Sequence, residues 1–150
     1  MSDDTIRDGE LFTALPDSYD ASLYFIGRIR TPWVERKDCP RRGDVNGPVC
    51  QIEIDPRWQG ALLGIEKHKE LQILYWMDLA RRDLIVQVPR SNGEKAGTFA
   101  LRSPVRPNPI ASSIVSVFAA SKTTLLVRGL DCVDGTPLLD IKPHFSREDD

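Results

Sequence analysis

The stretch Gly97-Thr98-Phe99-Ala100-Leu101-Arg102-Ser103-Pro104-Val105-Arg106-Pro107-Asn108-Pro109-Ile110 constrains the fold more than any other part of the chain. Each of its three prolines fixes its own φ and pushes the residue before it into extended geometry. Ser103, Arg106 and Asn108 are therefore extended, and the segment cannot be helical. A rigid loop carrying Arg102, Arg106 and Asn108 can hold an anion or a polar ligand at little ordering cost. The same residues also suit a plain proline-rich surface turn, and on composition alone both readings stand.

Around this loop the sequence reads as short strands. Leu23, Phe25, Gly27 and Ile29 alternate with Tyr24, Ile26, Arg28 and Arg30, a strand that stops at Pro32. Cys50, Ile52 and Ile54 alternate with Gln51 and Glu53. Asp55 then suits an N-cap, and Pro56 the first turn of a short helix through Leu63. Residues 71–77 are apolar on both faces, as in a central strand, and 84–88 form another strand closed by Pro89. Residues 113–119 and 124–127 read as a hairpin around 120–123. Asp134-Gly135 is a turn signal ahead of a final strand over 138–141. Many short strands with one or two brief helices predict an all-β fold, a small β-barrel. The barrel domain is expected over 21–146, between a flexible arm at 1–20 and a frayed tail at 147–150.

A chain of 150 residues suits one domain with its own core. No apolar run is long enough to span a bilayer, and the acidic start lacks a signal-peptide core. A cytoplasmic protein with reduced thiols is expected. The three cysteines lack Cys-x-x-Cys spacing, and His68 and His144 lie far apart, so no metal site is expected. No Gly-x-Gly-x-x-Gly follows a strand; Gly60 and Gly64 sit in the short helix, where packing explains them. A Rossmann-type nucleotide fold is disfavoured. The net charge of −2 does not advertise a nucleic-acid binder. Arg28 and Arg30, Arg41 and Arg42, Arg81 and Arg82, then Arg90, Arg102 and Arg106 would have to share a face to serve as one.

Taken with Leu130-Asp131-Cys132-Val133-Asp134-Gly135-Thr136-Pro137-Leu138-Leu139-Asp140-Ile141-Lys142-Pro143-His144, the proline–arginine stretch resembles the TsaA-like family. This is also called the TrmO or YaeB-like family of tRNA methyltransferases. The Ile26-Gly27-Arg28-Ile29-Arg30-Thr31-Pro32-Trp33 opening, the Pro40-Arg41-Arg42-Gly43 turn and the Leu71-Gln72-Ile73-Leu74-Tyr75-Trp76 strand match as well. The sequence departs from the family pattern at Thr98, Leu101 and Ala111, and at Asp78 after the aromatic strand. Longer relatives carry a further C-terminal domain.

The resemblance implies a small non-Rossmann β-barrel and a homodimer with a cofactor site near the interface. It implies S-adenosylmethionine as cofactor. The implied reaction is methylation of the exocyclic N6 amine of a threonylcarbamoyl-modified tRNA adenosine beside the anticodon. The cofactor residues it implies are Arg42, Gly43, Asp44, Asp78, Leu79, Arg102, Ser112, Asp134, Gly135, Thr136 and Pro137. Arg102 offers a donor fork to a carboxylate or a ribose oxygen. The Asp134-Gly135-Thr136-Pro137 turn offers backbone groups to an adenine edge. Asp78 is the candidate proton acceptor, with Arg106 and Asn108 holding substrate or shaping the loop. Two alternatives are a methyltransferase of the same fold acting on another RNA or a small molecule, and a non-catalytic S-adenosylmethionine-binding module.

Overall fold

The computed structural model describes residues 5–145. Its strands, in chain order, are β1 (Leu11–Phe12), β2 (Gly27–Arg30), β3 (Cys50–Ile54), β4 (Glu70–Trp76), β5 (Leu84–Gln87), β6 (Ala96–Gly97), β7 (Ile110–Ala120), β8 (Thr124–Arg128) and β9 (Thr136–Pro143). The chain divides into two compact units, Met1–Ser22 with Met77–Ala111, and Leu23–Trp76 with Ser112–Asp150.

The second unit is built on a closed barrel in the order β2-β3-β8-β7-β4-β9, the all-β, non-Rossmann architecture expected. Period-two alternation makes its core. Ile52 and Ile54 of β3, and Leu71, Ile73 and Tyr75 of β4, point inward and are buried. Leu125 and Val127 of β8 and Leu138 of β9 meet them. The helix expected after Asp55 forms as a 3-10 helix over Pro56–Leu62, and the Asp55 side chain caps it by accepting from Arg57 N–H at 3.0 Å. The β7–β8 hairpin forms as read, closed by Ser121 N–H on Thr124 O.

β9 starts earlier and ends later than the expected 138–141. Pro137 and Pro143 both lie within the strand, opposite Arg28 and Leu71.

The first unit holds a three-stranded sheet in the order β1-β5-β6. Residues 7–13 of the stretch expected to be a flexible arm are tied down here. Leu11 and Phe12 pair with Val86 and Leu84, and Thr13 N–H reaches Asp83 O. Just past that strand, Glu10 takes Val88 N–H at 3.0 Å, while Arg7 donates to Val88 O at 2.6 Å. Such a short strand carries no periodicity, and long-range polar contacts, invisible in sequence, fix it. The expected tail at 147–150 lies outside the described residues.

Candidate active site

Antiparallel register gathers two loops at one end of the barrel. Arg30 pairs with Gln51, Cys50 with Val127, and Ile29 with Thr136. The ends of β2 and β8 therefore lie beside the starts of β3 and β9. The connections 31–49 and 129–135 emerge together, carrying Arg42, Gly43 and Asp44 on one and Asp134 and Gly135 on the other.

Glycine backbones let the two loops touch. A Cβ on Gly43 would fall inside the carbonyl oxygen of Gly129. Gly129 has φ +118°, and its own Cβ would stand 2.8 Å from Ile114 O. Arg42 and Asp44 are exposed, and Asp44 Oδ1 accepts from Asn46 N–H at 2.8 Å.

The 133–136 turn is held from three sides. Asp134 N–H donates to Trp33 O, Gly135 N–H to Ile29 O, and Thr136 N–H to Val133 O. Asp134 Oδ1 accepts from Thr31 N–H at 3.1 Å, and Arg28 Nη1 reaches Gly135 O at 3.3 Å. The positive φ of Gly135, +85°, makes the corner. With the N–H groups of Asp134, Gly135 and Thr136 spent, what these residues offer a ligand is carbonyl oxygen. Thr136 and Pro137 are buried and fix the turn from inside.

Ser112 on β7 accepts from Gln72 Nε2 at 2.9 Å. Beside it, Tyr75 Oη lies 2.7 Å from Ser113 Oγ and 2.6 Å from Asp131 Oδ1. Burial raises the Tyr75 phenol above its ordinary range, and the Asp131 carboxylate raises it further. Sequence reading missed this contact, because nothing local links residues 56 positions apart.

The thiol of Cys132 is pushed up to about 12 by burial. Unfolded, the thiol would ionise near pH ~8.5. Between those values the unfolded state holds fewer protons, so stability falls as pH rises, and below that window the contribution is complete. We expect iodoacetamide at mildly alkaline pH to modify native Cys132 no faster than unfolding exposes it. Rapid modification of the folded protein would contradict this.

The other expected residues lie in the first unit. Asp78 and Leu79 are exposed on the turn closed by Ala80 N–H on Met77 O. Met77 N–H in turn reaches Pro109 O at 2.8 Å, tying that turn to the proline–arginine stretch. Arg102 is exposed on the stretch. Arg106 Nη1 donates to Leu101 O and Ser103 O, so its guanidinium braces the loop's own backbone. Asn108 Oδ1 accepts from Arg82 Nη2, while Arg82 Nε holds Pro107 O at 2.6 Å. Arg82, read in sequence only as part of a basic cluster, also stacks over Tyr19 at 5.1 Å.

Known proteins resemble this chain along most of its length. Residues 28–150 match the family described as tRNA-methyltransferase O N-terminal domain. The chain is 52% identical over 146 residues to a probable S-adenosyl-L-methionine-binding protein, VirR, of Rhizobium radiobacter, covering 97% of this chain and 83% of that protein. It is 36% identical over 92 residues to the tRNA (adenine(37)-N6)-methyltransferase of Mus musculus, covering 59% of this chain and 21% of that one. A crystal structure of TrmO from Pseudomonas aeruginosa matches with a TM-score of 0.70 at 32% identity, over 87% of this chain and 59% of that one. The chain thus spans less than two thirds of the solved TrmO chain. It belongs to the tRNA-methyltransferase O N-terminal domain family.

Proposed function

We propose that this chain is an S-adenosylmethionine-dependent methyltransferase whose acceptor is the N6 amine of a tRNA adenosine, the one beside the anticodon in its threonylcarbamoyl-modified form. The family match over residues 28–150 carries the reading. The named activity of the mouse relative supports the acceptor. The cytoplasm, where tRNA is modified, is the proposed place of action, and a homodimer with its site near the interface is part of the reading.

The groups at the barrel end suit the cofactor's chemistry. Carbonyl oxygens of the 133–136 turn can accept from an adenine amine, and the exposed Arg42 can meet a carboxylate. In the unit containing Met77–Ala111, Arg102 is the proposed donor fork for a carboxylate or ribose oxygen. Asp78 is the proposed acceptor for the proton that the N6 amine must lose. Arg106 and Asn108 shape the loop that presents Arg102. The bound cofactor supplies an electrophilic methyl group, and the chain's task is to align an in-line approach to it.

Two measurements test this reading. Labelled S-adenosylmethionine should transfer methyl to tRNA from cells lacking this protein; no transfer to any tRNA sinks the acceptor. In calorimetry, Arg102→Ala should weaken S-adenosylmethionine binding about 10- to 100-fold, the scale of one charge-assisted hydrogen bond. Equal affinity for wild type and variant would reject the role of Arg102.

A further inference from the structure

Inside the barrel end runs a hydrogen-bond chain whose direction is fixed by chemistry. A carboxylate oxygen only accepts, and a phenol carries one proton. Tyr75 Oη, 2.6 Å from Asp131 Oδ1, therefore donates to it. Ser113 Oγ, 2.7 Å from the same phenol, must then donate to Tyr75. The order is Ser113 to Tyr75 to Asp131, and each link polarises the next.

Tyr75 is 1% exposed, so water does not compete at the phenol. Asp131 is only part-buried and stands on the 129–135 loop. Its Oδ1 is fixed, and among the described residues no donor or cation within ion-pair reach engages its Oδ2. The site's other barrel carboxylates are exposed and not aimed by a buried hydroxyl: Asp44 Oδ1 holds Asn46 N–H, and Asp134 holds Thr31 N–H with Arg30 at 4.0 Å. A part-buried carboxylate aimed by a buried hydroxyl chain, with one oxygen uncommitted, is preorganised for a cation that arrives with the ligand.

We propose that Asp131 is the cation-binding residue of this site and receives the α-ammonium of S-adenosylmethionine through Oδ2. Tyr75 and Ser113 are positioning residues that set the carboxylate's angle. The inference rests on the cofactor reading above and adds the residue that recognises the amino-acid end.

The test uses two ligands that share the adenosine part. S-adenosylhomocysteine carries the ammonium, and methylthioadenosine lacks it. By calorimetry, Asp131→Asn should weaken S-adenosylhomocysteine about 10- to 100-fold and leave methylthioadenosine within about threefold. Ser113→Ala, which keeps the carboxylate and loses the outer donor, should weaken only S-adenosylhomocysteine, by about threefold or more. This second variant decides the matter if Asp131→Asn fails to fold. Equal loss for both ligands would make Asp131 a structural or adenine-facing group and overturn the proposal, as would unchanged affinity for S-adenosylhomocysteine. Wild-type protein that binds neither ligand would overturn the cofactor reading itself, a result distinct from failure of the variants alone.

Discussion

Gly43→Ala is expected to destabilise the protein by about 3 kcal/mol, the upper range for overpacking a tight contact. The new methyl would fall within the carbonyl group of Gly129, which is backbone and cannot swing aside. Gly129 is itself confined, with φ +118° and a position where its own Cβ would meet Ile114 O at 2.8 Å. Relief therefore requires the 31–49 loop to lift away from the 129–135 loop. Arg42 and Asp44 would move with it, so cofactor affinity should fall alongside stability. Gly60 supplies the control, because nothing lies within 4 Å of a Cβ built there. Gly60→Ala should stay within about 0.5 kcal/mol of wild type. Denaturant midpoints and calorimetry on the two variants check this. A Gly43→Ala protein as stable as wild type would mean that the loops do not rest on each other.

Much of the barrel was legible because its strands obey one local rule. β3 alternates strictly and each of its inward residues is buried, while β4, apolar on both faces in sequence, turns Leu71, Ile73 and Tyr75 into the core. Asp55-Pro56 announced a capped turn, and Asp134-Gly135 a corner, through side-chain and φ preferences that need no tertiary context. The rest depends on contacts that no local pattern encodes. β1 has two residues and exists because β5 offers an edge. Thr98, a departure from the family motif, has a packing reason rather than a substrate one. It is 4% exposed, and its hydroxyl donates to Leu84 O at 2.7 Å. Arg106 and Asn108 were readable as polar groups on a rigid loop, but their service to that loop's own shape was not. Asp131 passed unnoticed beside the Asp134 turn, since its distinction comes from Tyr75 on another strand.

One buried amide anchors residues 98–105 of the proline–arginine stretch, and Gln87→Leu should show it. Gln87 is 6% exposed, and its two Nε2 protons go to Thr98 Oγ1 at 2.9 Å and Val105 O at 2.7 Å. These bonds join β5 to both halves of the stretch, before and after Pro104. Prolines remove conformational freedom from a loop but supply no N–H to anchor it. The anchoring must come from outside, and here a side chain provides it. Leucine fills similar space and satisfies neither acceptor, leaving Val105 O without its donor. We expect a loss of about 2–6 kcal/mol, from two polar groups at about 1–3 kcal/mol each. Amide exchange through residues 98–106 should quicken more than in the barrel strands, because the barrel does not use this amide. Arg102 rides on the loosened segment, so S-adenosylmethionine affinity should fall even where the variant remains folded. Unchanged exchange across 98–106 would show that Gln87 only fills space and that the loop's other contacts hold it.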